Sequence, residues 1–133
     1  MGKTLVIKGA DFSQNCIEEK ELQLTLENKG VNSAVVGSVV TFTDNNARLA
    51  TTTPVYIGTG NSWYVGLAEN EYLGYVLCSD EVGHVYQKAV AWISEDMELE
   101  MPCDYCVFYF KKTVNGQDVS PLTSINSVVS VKL

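Results

Sequence analysis

Long apolar runs are missing from this chain of 133 residues. The longest, such as Val107-Phe108-Tyr109-Phe110, fall far short of the ~18 apolar residues a membrane span needs, so no membrane insertion is expected. Positive charge is scarce as well: nine Lys and Arg stand against 16 Asp and Glu, a formal net charge of −7. Such a surface repels a phosphate backbone, and with Lys111-Lys112 the sole basic pair, no nucleic-acid partner is expected. There is one histidine, His84, and no G-x-S-x-G elbow, so a Ser-His-Asp triad has no visible frame. No glycine-rich loop follows a strand and opens a helix; Gly58-Thr59-Gly60 reads as a turn between strands, which removes the nucleotide-binding class. Carboxylates are plentiful, but of Glu69, Glu71, Asp80, Glu81, Glu95, Asp96, Glu98 and Glu100 most fall in turns or on the outer face of an alternating strand. They read as a solvated face, not as an acid/base pair for glycoside hydrolysis. No enzymatic activity is expected.

At the N-terminus, Leu5-Val6-Ile7 between Lys3 and Lys8 is too short for a secretory apolar core of roughly 7–15 residues. The expectation is a product made in the cytoplasm without a signal peptide. The four cysteines are Cys16, Cys78, Cys103 and Cys106. The single C-x-x-C, Cys103-Asp104-Tyr105-Cys106, runs straight into β-type sequence, where redox motifs open a helix. Zinc would need two more ligands, and Cys16, Cys78 and His84 lie far apart in sequence. Buried free thiols are the first expectation for Cys103 and Cys106, with a disulfide and a metal site as alternatives.

What is present is a globular composition, 46% hydrophobic and 19% charged, enough for one domain with a core of its own. Apart from one helical turn expected over Ile17–Leu22, the pattern is extended. Strands are expected at Leu5–Ile7, Leu22–Leu26, Val35–Thr43, Val55–Ile57, Trp63–Leu67 and Tyr72–Cys78, and, after the turn Ser79–Gly83 and the extended His84–Tyr86, at Ala89–Ile93, Met97–Met101, Tyr105–Lys111 and Val128–Leu133. Asn28-Lys29-Gly30 and Val114–Asp118 carry turn chemistry. Nine or ten short strands at roughly 8–12-residue spacing specify an all-β protein, an antiparallel sandwich or barrel. Residues 1–133 read as a single domain, with 1–30 as a strand segment available for packing or assembly and 31–133 as the sandwich body.

Four pieces in order then carry a resemblance: Arg48–Val55 with its Pro54; Tyr75-Val76-Leu77-Cys78 running into Ser79-Asp80-Glu81-Val82-Gly83; Trp92-Ile93; and Met97–Pro102 followed by Tyr105–Lys112. Over about residues 35–127 the chain resembles the small jelly-roll β-sandwich domains of phage and prophage tail-fibre and appendage proteins, which are themselves similar to carbohydrate-binding modules. The opening Lys3–Ser13 is similar to the start of phage and prophage proteins from Bacteroides-type gut bacteria. Many members carry an arginine in the last aromatic strand, where Phe110-Lys111-Lys112 stands here. Lysine cannot reproduce the planar bidentate contact of arginine. The resemblance implies a two-sheet jelly roll in a virion, host-surface attachment through a cell-surface glycan, contacts with other virion proteins, and a homo-oligomer, a trimer being common. The alternative is an assembly or decoration protein without a sugar ligand.

Aromatic side chains are the most suggestive class for a binding site, because the C–H faces of sugars stack on them while amides and carboxylates bond the hydroxyls. Trp63, Tyr64 and Tyr72 lie near the polar segment Glu69-Asn70-Glu71. The candidate ligand residues are therefore Trp63, Tyr64, Tyr72, Glu69 and Asn70. Trp63 and Tyr64 point to opposite faces of one strand, so one is expected in the core and the other outside. Trp92, in an apolar run, is expected in the core. No cofactor is expected; a structural calcium at Asp44-Asn45-Asn46 or Asp80-Glu81, where hard oxygen ligands gather, is the one alternative.

Overall fold

The computed structural model describes residues 19–132; the expected strand Leu5–Ile7, the segment Lys3–Ser13 and Cys16 lie outside them. Twelve strands follow one another: β1 (Glu19–Glu21), β2 (Lys29–Ser33), β3 (Thr41–Asp44), β4 (Leu49–Ala50), β5 (Val55–Tyr56), β6 (Ser62–Gly66), β7 (Glu71–Cys78), β8 (Val85–Ile93), β9 (Met97–Glu100), β10 (Tyr105–Val114), β11 (Gln117–Asp118) and β12 (Val128–Lys132). Every pairing is antiparallel. Four strands form one sheet in the order β1-β12-β6-β9. A six-stranded sheet runs β11-β10-β7-β8, with β4 and β5 also on β10, and β2-β3 make a separate pair. The all-β, sandwich-like architecture is as expected. Among the described residues the strands number twelve, of which β4, β5 and β11 are two-residue strands lying along β10.

The centre is the β7–β10 pair, eight residues in unbroken register from Glu71↔Lys112 to Cys78↔Tyr105. Both faces of this pair are buried. Leu73, Tyr75, Leu77, Cys106, Phe108 and Phe110 turn toward the four-stranded sheet and meet Trp63, Val65, Val129 and Val131. Val76, Cys78, Val107 and Tyr109 turn the other way and meet Val40 and Val85, with Val31 and Phe42 of the β2–β3 pair packed outside them. On its free edge β10 meets Thr51 between β4 and β5. Thr51 N–H donates to Phe108 O at 2.8 Å, and Phe108 N–H donates to Thr51 Oγ1 at 2.9 Å. A side-chain hydroxyl thus satisfies a buried backbone donor where the ladder is interrupted.

Three local expectations are corrected. Residues Glu19–Glu21 form a strand on β12, with Glu19 opposite Lys132, instead of a helical turn; a free sheet edge outweighs a short helix, whose nucleation is costly. Leu22, Leu24 and Leu26 do turn inward against the core, but only the short β1 is laddered there. The Val35–Thr43 strand is displaced: Asn28-Lys29-Gly30, expected as a turn, opens into β2, whereas Val35 and Val36 sit exposed around Gly37, whose φ of 88° turns the chain. β-Branched propensity yields here to hairpin geometry.

Two other turns expected from Asp, Asn and Gly do form. Between β7 and β8, Asp80 Oδ1 accepts the N–H groups of Gly83 (2.9 Å) and His84 (3.0 Å), and Asp80 Oδ2 lies 2.7 Å from His84 Nδ1. The backbone N–H of His84, above all, holds the Asp80 carboxyl below the usual range. Asn115 (φ 53°) and Gly116 (φ 78°) turn β10 into β11 as an Asn-Gly hairpin requires.

Cys78, Cys103 and Cys106 are buried free thiols. The Cys103–Cys106 segment is pinned by Asp104: its carbonyl accepts Ile57 and Gly58 N–H, and its Oδ1 accepts Thr59 N–H and Oγ1–H. Burial pushes the Cys78 thiol up to about 11 and the Cys106 thiol well above its ordinary value. In a Cys16→Ser variant, a thiol-specific disulfide reagent at pH 8 should label nothing until denaturant is added. Because these folded-state values are raised, the folded state loses stability as pH climbs above about 9, the ordinary thiol value, toward 11. Rapid stoichiometric labelling of the native protein at pH 8 would show the burial to be wrong.

Candidate functional site

The five residues expected to form a site do not converge. Trp63 is fully buried between Tyr75 and Phe108, so it presents no face to a ligand. Tyr64 points outward from the four-stranded sheet, and its hydroxyl donates to Asp96 Oδ2 at 3.1 Å. Glu69 and Asn70 are exposed in the β6–β7 turn, where Asn70 adopts φ 64°. Tyr72 lies half-buried on β7, on the face that carries Val76, Cys78 and Tyr109. Alternation correctly separated Trp63 from Tyr64, but it could not show that Tyr72 belongs to a different surface from either.

A different constellation forms around Trp92. It is half-buried, not in the core as expected, because β8 is the edge strand of its sheet and register shifts against β7 interrupt the alternation along it. The Trp92 ring meets Tyr109 edge-to-face, with centroids 5.3 Å apart. Arg48 Cζ lies 5.1 Å and Lys111 Nζ 5.0 Å from the Trp92 ring centroid, and Lys111 Nζ is also 5.2 Å from the ring of Tyr72. These are cation–π distances. Arg48 is fixed through Nη1, which donates to Ala47 O at 3.0 Å and to Asp118 Oδ2 at 2.9 Å. Burial raises the Tyr109 hydroxyl above its ordinary value, and the Arg48 charge opposes that shift.

Tyr109 owes its position to Gly74, its partner across the ladder. A Cβ at residue 74 would stand 2.3 Å from Tyr109 Cε2, closer than any real contact. The ring therefore lies flat across the strand at the one position without a side chain.

Beside Trp92, Arg48 and Tyr109 opens a groove of about 480 Å³, within the roughly 300–1,000 Å³ range of small-molecule sites. Asn32, Ser33, Thr43 and Asn45 of the β2–β3 region form its polar wall, and Ala89 and Ala91 leave room on the opposite side. Asn45 is held by accepting the Ala47 N–H at 2.9 Å. The groove thus combines an aromatic face, a guanidinium, amides and hydroxyls.

Among the described residues no group of three or more His, Cys, Asp or Glu side chains is placed to hold a metal ion. Of the two turns considered for calcium, Asp44 pairs with Lys29 and Asp80 is committed to its own turn. Compared with protein-family models, with curated proteins and with solved structures, the chain matches none.

Proposed function

We propose that this protein is a non-catalytic binding module that holds a glycan in the Trp92 groove. The observation that carries the reading is the 480 Å³ groove itself, where the aromatic pair Trp92 and Tyr109 faces amides and hydroxyls. That mixture suits a ligand with apolar C–H faces and hydroxyl rims. The order of motifs along the chain, which resembles the jelly-roll sandwiches of phage and prophage appendages, favours attachment of a particle to a host-surface glycan. The same resemblance favours a homo-oligomer, a trimer among them.

The test is a broad glycan array at physiological salt with the wild type, Trp92→Ala and Tyr64→Ala. Selective binding that survives Tyr64→Ala and is lost in a folded Trp92→Ala is the expected result. Binding insensitive to Trp92 would move the site, and no binding by the multivalent wild type would end the glycan reading.

One observation favours the assembly role as a second reading. Val35, Val36, Val39 and Val82 are 39–60% exposed, and they sit on two turns tied together by Gly37 N–H to Val85 O and Val40 N–H to Gly83 O. Clustered exposed valines suit contact with a second copy of the chain. A stable oligomer broken by Val36→Glu, together with a blank array, would make assembly the function.

A further inference from the structure

We propose that the sugar taken by the Trp92 groove is acidic, and that Arg48 and Lys111 select its carboxylate. The inference rests on the glycan reading and adds the ligand's charge.

The chain carries net charge −7, yet two of its few cations are gathered over one ring. Among the described basic residues they alone lie over aromatic rings. Lys111 makes no ion pair with a described residue; it is half-buried and held over Tyr72 and Trp92. Arg48 lines the groove and is ion-paired, but its described hydrogen bonds engage Nη1 alone. Nε and Nη2 stay uncommitted, and that edge of a guanidinium is a fork that fits the two oxygens of a carboxylate. The Tyr109 hydroxyl, also on the groove, has no hydrogen-bond partner among the described residues and supplies a further donor. Arg48 on the groove and Lys111 beside it, over the same ring, stand against the single carboxylate of Asp118, an excess of one positive charge among these three groups. An acidic sugar supplies the partner for that charge, while its hydroxyls meet the amide wall.

The experiment is calorimetric titration with pairs of probes that differ in the carboxylate: 3′-sialyllactose against lactose, and trigalacturonate against its methyl ester. In at least one pair the acidic member should bind about tenfold or more tightly, the worth of one charge-assisted hydrogen bond. Lys111→Gln and Arg48→Gln, each checked for a native melting curve, should cut that preference to about threefold or less, whereas Lys88→Gln, on an exposed part of β8, should leave it intact. Acidic and neutral members bound equally would overturn the charge selection and leave the glycan reading standing. A preference indifferent to both variants would overturn the roles of Arg48 and Lys111. No binding of any probe, with a blank array, would overturn both readings together.

Discussion

Trp63→Ala should lower the unfolding free energy by about 3–5 kcal/mol, the range for deleting a large buried aromatic. That is a large share of the ~5–15 kcal/mol that holds an ordinary domain together. Trp63 is 0% exposed, with Tyr75 and Phe108 edge-to-face at 5.3 and 5.2 Å. It joins the two larger sheets, since β6 carries it and β7 and β10 receive it. The indole Nε1 is buried without a hydrogen-bond partner among the described residues, and an unsatisfied buried donor offsets part of what the ring contributes. Trp63→Phe removes that donor along with some volume and should therefore cost much less, about 1.5 kcal/mol or under. Urea unfolding followed by far-ultraviolet circular dichroism measures both. An alanine variant within about 1 kcal/mol of wild type would mean that the ring is not wedged as described.

Glu71→Ala should cost about 2–5 kcal/mol, because two backbone donors lose a charged acceptor. The Glu71 side chain is 1% exposed. Its carboxylate accepts Asn126 N–H on both oxygens at 3.0 Å, Ser127 N–H at 2.9 Å and the Ser127 hydroxyl at 2.6 Å, and Lys112 Nζ stands 3.9 Å away. This carboxylate docks the chain just before β12, the strand between β1 and β6. The damage should be local first, with amides 126–129 exchanging with solvent well before those of β7 and β10. Glu71→Gln retains one acceptor oxygen and should lose about half as much. Unchanged exchange at Asn126 and Ser127 in the alanine variant would refute the docking role.

Both residues show what sequence pattern can and cannot reach. The strands β7 and β10 were legible because apolar and aromatic residues dominate them, with Tyr, Val, Leu and Phe in close succession. Alternation along Trp63-Tyr64-Val65 separated the two faces, since one side of β6 meets the core and the other meets water, but it did not say which residue was buried. The core expectation for Trp92, made from its apolar run, failed because β8 is an edge strand with register shifts against β7. Local pattern failed also at Glu71, which reads as a solvated carboxylate and is buried by a segment 55 residues away in sequence. The groove was not legible at all. Its walls come from residues 30–48, 89–92 and 109, joined by pairings that no local period encodes. Arg48 and Lys111 were visible as members of a motif, but nothing local placed them over the same ring.

The contact between Gly74 and Tyr109 gives this chain a signature that survives sequence drift. Because a side chain at 74 and a ring at 109 exclude each other, the two positions must change together in any descendant that keeps the β7–β10 ladder. A distant relative that retains the groove should therefore show glycine opposite an aromatic at this rung, however little else it shares. One that places a branched residue at 74 should have surrendered the aromatic and, with it, the support beneath Trp92.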